Sequence, residues 1–178
     1  TATATTAPNI NFYLLLDNSP SMDIAATTAG INTMVANTSA QGGCALACHE
    51  TNPTSGDVAG NPGGEDNYTL AKNLGVVTRV QNMATATSSL MNTATQTMTT
   101  NNASCPTGPG CYAMAIFTFN VQGTTTSQCS STSIQVIYAP SCAPSSDLSS
   151  AQTAAATIDV LKVCSNNFLI CGTNNNDA

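Results

Sequence analysis

The chain has 178 residues, of which only 7% are charged, with three Lys and Arg against nine Asp and Glu. Typical soluble domains are about 25% charged, so Thr, Ser, Asn, Gln and Ala must cover most of this surface. The scarcity of positive charge argues against nucleic-acid and anionic-membrane binding, both of which need clustered Lys and Arg. A surface of neutral hydroxyls and amides favours a location outside the cytoplasm.

The length predicts a single domain. Residues 1–9 are a low-complexity segment rich in Thr and Ala, which we expect to be a linker before a domain at residues 10–178. No run of about 18 apolar residues is present, so we expect no membrane insertion by this segment. We find no secretion signal and expect a mature or excised piece of a longer protein.

The first predicted element is a strand that ends at Asp17. Residues 12–16 form a continuous apolar run, which is typical of a strand covered on both faces in a parallel sheet. In open α/β sheets, functional groups collect just past the carboxyl ends of the strands. Asp17, Ser19 and Ser21 therefore stand where a ligand would bind.

Two helical segments and an insertion follow. Residues 22–37 predict a short or broken helix that is interrupted near Gly30. Residues 39–67 are dense in Gly, Pro, Asn and Asp and predict a long surface insertion. A short helix is then expected over 68–74, ended by Gly75.

A long helix is expected over about 78–99, because its apolar side chains recur every three or four residues. Residues 111–120 predict a second buried strand, and residues 133–139 predict a third strand with the alternation of an edge strand. The last predicted helix is capped by Ser145 or Ser146. Its buried face is expected to contain Leu148, Ala151, Ala155, Ile158 and Leu161.

The eight cysteines are an even number in sequence-local pairs, as expected for disulfides formed in an oxidising compartment. Eight cysteines allow 105 pairings, so the sequence does not determine the connectivity. We predict sequential pairing: Cys44–Cys48, Cys105–Cys111, Cys129–Cys142 and Cys164–Cys171.

The Asp-x-Ser-x-Ser spacing at Asp17, Ser19 and Ser21 is suited to a small, hard cation. Mg²⁺ and Ca²⁺ take oxygen ligands, and Mg²⁺ keeps several waters when few carboxylates are offered. One carboxylate and two hydroxyls on a tight loop leave the metal positively charged, with an open position for a partner's carboxylate. The alternative is an ordinary strand-to-turn junction without a metal.

The motif Asp17-Asn18-Ser19-Pro20-Ser21 resembles the metal-ion-dependent adhesion site of von Willebrand factor type A domains. Together with the segments 44–49 and 68–79, it resembles the type A region of bacterial TadG-like proteins of tight-adherence pilus loci. The resemblance implies an α/β, Rossmann-like sheet with flanking helices. It also implies an extracytoplasmic location, in the periplasm, at the cell surface or secreted, and a role in assembling or anchoring a surface appendage.

The chain departs from this family after its last predicted helix. Type A domains add a Thr and an Asp from two later loops, together with further strands. Thr173 is the candidate threonine, and Asp177 is a tail residue that we do not assign as a ligand. We therefore expect a sheet that is incomplete on its C-terminal side, and an open edge of this kind tends to recruit another strand.

The segment Cys44-Ala45-Leu46-Ala47-Cys48-His49 invites a second interpretation. Covalent attachment of c-type haem uses Cys-x-x-Cys-His, and here one extra residue separates the cysteines. A Cys44–Cys48 disulfide is the structural alternative. Zinc binding is disfavoured because no Cys-x-x-Cys pair is present.

We expect no enzymatic activity, because His49 is the single histidine and no nucleophile elbow is present. The sequence therefore predicts an adhesion or pilus-assembly module that binds a protein partner through Mg²⁺ or Ca²⁺. The alternative is a metal-free structural subunit of a surface filament, in which the exposed sheet edge makes the contacts.

Overall fold

The computed structural model describes residues 6–39, 42–45, 67–119, 129 and 134–160. Within them the chain is a mixed α/β protein with a three-stranded sheet and flanking helices, which confirms the predicted class. In chain order the strands and helices are β1 (Ile10–Asp17), α1 (Thr28–Asn37), α2 (Asn67–Asn73), α3 (Arg79–Thr100), β2 (Tyr112–Phe119), β3 (Ile134–Tyr138) and α4 (Leu148–Ala155). Short 3-10 turns span Pro20–Asp23 and Pro140–Cys142.

The sheet has the strand order β1-β2-β3. The Ile10 amide donates to the Cys111 carbonyl (2.9 Å), which joins the beginnings of β1 and β2, so these strands run in the same direction. Strands β2 and β3 are antiparallel, with an irregularity in register beside Ile116. Strand β3 is at one edge of the described sheet, as predicted, and β1 is at the other.

The chain divides into two compact units, and the division falls within β1 and within α3. Of the described residues, one unit contains those up to 16 and those from 84 to 158. Its fully buried side chains include Met91, Met114, Ala115, Ile116 and Ala151. The other unit contains those from 17 to 83 together with residues 159 and 160. Its core consists of Ala25, Met34, Ala71 and Val76, with Ile31 and Leu70 packed against them.

Helix α1 corrects the predicted interruption at Gly30. The break in helical structure lies earlier, over 24–27, and α1 begins after Thr27, whose Oγ1 accepts a hydrogen bond from the Gly30 amide (3.0 Å). Gly30 lies inside the first turn, where a Cβ would come within 3.0 Å of a Val76 side-chain carbon. The glycine is therefore explained by close packing and not by helix breaking.

Helices α2 and α3 agree with the sequence pattern. Gly75 has a φ of +68° and ends α2, with its amide bonded to the Lys72 carbonyl, as expected of a C-terminal glycine. Helix α3 begins at Arg79, one residue later than predicted. Its buried stripe contains Val80, Ala84, Thr87, Met91 and Ala94.

Strand β1 differs from its prediction, because the described part of the chain covers only one of its faces. Side-chain exposure alternates along the strand, and Tyr13 and Leu15 remain 64% and 55% exposed. On the opposite face, the Phe12 ring packs edge-on against Tyr112, with centroids 5.9 Å apart. A continuous apolar run was therefore not sufficient to predict cover on both faces.

The cap of helix α4 also corrects the prediction. The helix is capped by Asp147 and not by Ser145 or Ser146, because Asp147 Oδ1 accepts a hydrogen bond from the Ser150 amide (3.1 Å). Ser145 Oγ instead accepts from the Asp147 amide (3.2 Å). The predicted buried face is confirmed for Leu148, Ala151, Ala155 and Ile158, and Leu161 lies outside the described residues.

Two predicted disulfides are confirmed, Cys105–Cys111 and Cys129–Cys142, with Cα separations of 5.5 and 5.3 Å. Cys44 is also in a disulfide, and its partner lies outside the described residues. The pairings Cys44–Cys48 and Cys164–Cys171 therefore stay predictions. Within the described ranges, no helix is both long enough and apolar enough to cross a membrane.

Replacing Met91 by Ala should lower the free energy of unfolding by about 2–5 kcal/mol, because it leaves a cavity at a fully buried site. The neighbouring Leu90 is 38% exposed, and its replacement by Ala is the matched control, with a change of about 0.5 kcal/mol. Urea denaturation under non-reducing conditions measures both. Equal losses in the two variants would contradict the assignment of the buried face of α3.

The Asp147 cap should make stability depend on pH. The Ser150 hydroxyl and amide hold the pKa of the Asp147 carboxyl below its ordinary value of 3.8, so the charged form stabilises the fold. Its contribution is complete above this pH and is lost as the pH falls through the lowered pKa. Asp147→Asn keeps the acceptor oxygen and removes the charge, so its melting temperature should fall below the wild type's at neutral pH and converge with it in strong acid. A difference unaffected by pH would refute this role.

Candidate functional site

The loop that leaves β1 is built on a hydrogen bond from the Ser19 amide to Asp17 Oδ1 (2.9 Å). This is an Asx turn, in which the carboxylate accepts from the backbone two residues ahead. This hydrogen bond fixes the Asp17 side chain against the turn formed by residues 17–19. The other carboxylate oxygen, Oδ2, takes no part in this bond.

The two predicted serine ligands are brought together by the next turn. Pro20 opens the 3-10 turn after Ser19, and its fixed φ suits that position. The Met22 amide closes the turn on the Ser19 carbonyl (2.9 Å). As a result, the hydroxyl oxygens of Ser19 and Ser21 lie 2.7 Å apart.

Burial differs along the loop. Asn18, Ser19 and Asp23 are 4%, 6% and 2% exposed, whereas Asp17 and Ser21 are partly exposed. The Asn18 side-chain oxygen has no hydrogen-bond partner within the described part of the chain. The base of the loop is therefore buried, whereas the Asp17 carboxylate and the Ser21 hydroxyl are partly exposed to solvent.

Just after the loop, the chain is fixed to the segment before α3. The Ala26 amide donates to the Val77 carbonyl (2.8 Å), and the Arg79 amide donates to the Ile24 carbonyl (3.0 Å). These bonds flank an isolated antiparallel bridge between Ala25 and Thr78. The short 3-10 turn therefore follows β1 and is followed by residues 24–26, which are hydrogen-bonded to residues 77–79.

The oxygen spacing is compatible with a small divalent cation. Two neighbouring ligands of an octahedral ion with metal–oxygen distances of about 2.0–2.1 Å are about 2.9 Å apart, so hydroxyls at 2.7 Å need little movement. The hydroxyl hydrogen that now bridges Ser19 and Ser21 would have to rotate outward. Among the described residues, no three His, Cys, Asp or Glu side chains form a metal-binding group, so a cation here would have few charged ligands.

Several predicted residues cannot be placed. Thr173, Cys48, Cys164 and Cys171 lie outside the described residues, as do His49 and the unassigned Asp177. The disulfide at Cys44 does bear on haem attachment. A sulfur that is bonded to another cysteine is not available for a thioether bond to haem, so the disulfide interpretation of Cys44 is the one supported.

A cluster formed by Tyr68, Lys72 and Asp159 has no recognisable signal in the sequence. The Tyr68 hydroxyl donates to Asp159 Oδ1, and Lys72 Nζ lies 3.3 Å from Asp159 Oδ2 and 3.8 Å from the centre of the Tyr68 ring. Asp159 is 87 residues from Lys72, a separation at which no short motif could connect them. The cluster ties the chain after α4 to helix α2.

No protein-family model, curated protein sequence or solved structure matches this chain.

The members of the Tyr68 cluster should contribute unequally to stability. Tyr68 is 2% exposed, so Tyr68→Phe removes a buried donor to a charged carboxylate and should cost about 1.5–3 kcal/mol. Lys72 and Asp159 are 41% and 44% exposed, so Lys72→Met should cost less than about 1 kcal/mol. Urea unfolding compares the two variants. A larger loss for Lys72→Met would reverse the assigned order.

Proposed function

We propose that this chain is a non-enzymatic, extracytoplasmic binding module in which Asp17, Ser19 and Ser21 hold a divalent cation. The observation that carries the proposal is the 2.7 Å spacing of the Ser19 and Ser21 hydroxyl oxygens beside a carboxylate fixed by the Ser19 amide. The bound cation would supply an electrophilic site for an anionic ligand. The loop's own residues orient it and leave part of its coordination shell open to solvent.

The charge balance favours a carboxylate-bearing protein partner. A divalent cation with Asp17 as its one charged ligand keeps a net positive charge. The whole chain has a formal net charge of −6, which disfavours acidic partners everywhere except at the cation. An acidic side chain from a partner would therefore be directed to the loop, and its attachment would depend on the ion.

The spacing is compatible with either Mg²⁺ or Ca²⁺. Neighbouring oxygens are about 2.9 Å apart around octahedral Mg²⁺ and about 2.8 Å apart in the equatorial plane of a pentagonal-bipyramidal Ca²⁺ site. The 2.7 Å between the two serine hydroxyl oxygens suits both ions. The low charge of the chain and its disulfides support an extracytoplasmic setting. The resemblance to tight-adherence proteins makes pilus assembly or adhesion the proposed context.

A second candidate function is a metal-free structural subunit of a surface assembly. It is favoured by the exposure of Tyr13 and Leu15 on β1, which gives the chain an apolar surface. The two candidates differ in their response to a chelator. Partner binding through the loop requires the ion, whereas contacts made by the sheet do not.

Asp17→Ala should abolish Mg²⁺ binding, because it removes the one charged ligand and leaves two neutral hydroxyls. Calorimetric titration of the whole chain should show one Mg²⁺ site in the wild type and a loss of affinity of at least about 100-fold in the variant, equivalent to about 2.7 kcal/mol. Asp147→Asn makes the same change of charge on the exposed cap of α4 and is the control. Mg²⁺ should also raise the melting temperature of the wild type and of this control, but not that of Asp17→Ala. Equal affinity in all three proteins would end the proposal.

A further inference from the structure

Three sulfur atoms lie together where helix α3 ends and strand β2 begins. Met98 is in the last turn of α3, and its Sδ lies 3.6 Å from the Sγ of Cys105. Cys105 is bonded to Cys111, which directly precedes β2. All three residues belong to the same compact unit of the chain. We refer to Met98, Cys105 and Cys111 as the sulfur cluster.

Backbone hydrogen bonds fix two members of the sulfur cluster independently of the disulfide. The Tyr112 amide donates to Met98 Sδ (3.1 Å), which orients the thioether and uses one of its two lone pairs. The Cys111 amide donates to Asn9 Oδ1 (2.9 Å), and the Cys111 carbonyl accepts from the Ile10 amide (2.9 Å). Opening the disulfide breaks none of these bonds. Met98 and Cys111 are therefore held in place whether Cys105 is bonded or free.

We propose that the sulfur cluster binds Cu(I) when the Cys105–Cys111 disulfide is reduced. Thiolate and thioether ligands select soft ions, and two thiolates with one thioether suit Cu(I). Zn²⁺ prefers four ligands drawn from Cys, His, Asp and Glu, and the described part of the chain contains no group of three such side chains. The cluster shares no residue with the Asp17 loop, so this site is independent of the cation proposed there.

The distances within the cluster are close to those of a three-coordinate site. With metal–sulfur distances of about 2.3 Å, three sulfurs around one ion are about 4 Å apart. Met98 Sδ and Cys105 Sγ are 3.6 Å apart, so they need little movement. Cys105 Sγ and Cys111 Sγ must separate from a bond length of about 2 Å. Rotation of the two side chains is sufficient for this, because their Cα atoms are 5.5 Å apart.

A dithiol reductant opens the site. Cys105 is exposed and Cys111 is buried, so the reductant's thiolate attacks Cys105 Sγ, the disulfide bond breaks, and Cys111 leaves as a thiolate that takes up a proton. The second thiol of the reductant then attacks the mixed disulfide, which releases Cys105 and leaves the reductant oxidised. The protein has gained two electrons and two protons. Cu(I) displaces both protons when it binds the two thiolates.

Differential alkylation tests the proposal on the whole chain, reduced with dithiothreitol and then freed of it without oxygen. Cu(I) should protect Cys105 and Cys111 from iodoacetamide, as measured by mass spectrometry of their peptides. Met98→Leu nearly keeps the side-chain volume and removes the thioether. In this variant, the concentration of the Cu(I) chelator bathocuproine disulfonate that abolishes protection should fall at least about tenfold, because a ligand is lost. Met83→Leu, at another partly buried position of α3, should leave that concentration unchanged.

Cys129 and Cys142 are the internal control, because their alkylation should not respond to the replacement of Met98. Equal protection of Cys105 and Cys111 in the wild type and in Met98→Leu would overturn the proposal, as would equal protection by Zn²⁺. Circular dichroism establishes whether the reduced chain is folded. Loss of the native spectrum on reduction would also overturn the proposal, because the three sulfurs would then have no fixed arrangement.

Discussion

The hydrogen bond from the Ser19 amide to the Asp17 carboxylate is the constraint on which the candidate site depends. It turns the chain at the end of β1, so that Pro20 can begin a 3-10 turn and bring the Ser21 hydroxyl to within 2.7 Å of Ser19. Without it, three polar side chains at the end of a strand would have no common direction. The local turn preference of these residues therefore brings together several oxygen atoms of the kind that hard cations bind.

Much of the fold was accessible from the sequence because its signals are local. The amphipathic stripe of α3, the glycine that ends α2 and the positions of strands β2 and β3 all follow from short patterns. The wrong predictions arose where one local sequence pattern fits two different structures. Gly30 was interpreted as a helix break but is a site of close packing. The cap of α4 was predicted at Ser145 or Ser146 but is Asp147, which directly follows them in sequence.

The rest depended on contacts between distant residues. The uncovered face of β1 is set by which elements pack on the sheet, and an apolar run in sequence does not report this. The Tyr68–Asp159 contact joins residues 91 positions apart and has no motif. At the site, spacing alone indicated Asp17, Ser19 and Ser21, but the turn that brings the serines together is known only from the structure. Thr173 stays a prediction.

Cation binding by Asp17, Ser19 and Ser21 is tested most directly by the anomalous scattering of crystals grown with Mn²⁺, a close substitute for Mg²⁺ that can be located without ambiguity. We expect one strong peak at the end of β1, within coordination distance of Asp17, Ser19 and Ser21, with water completing the shell. A peak elsewhere, or a loop free of metal at saturating Mn²⁺ with the serine hydroxyls still bonded to each other, would contradict it.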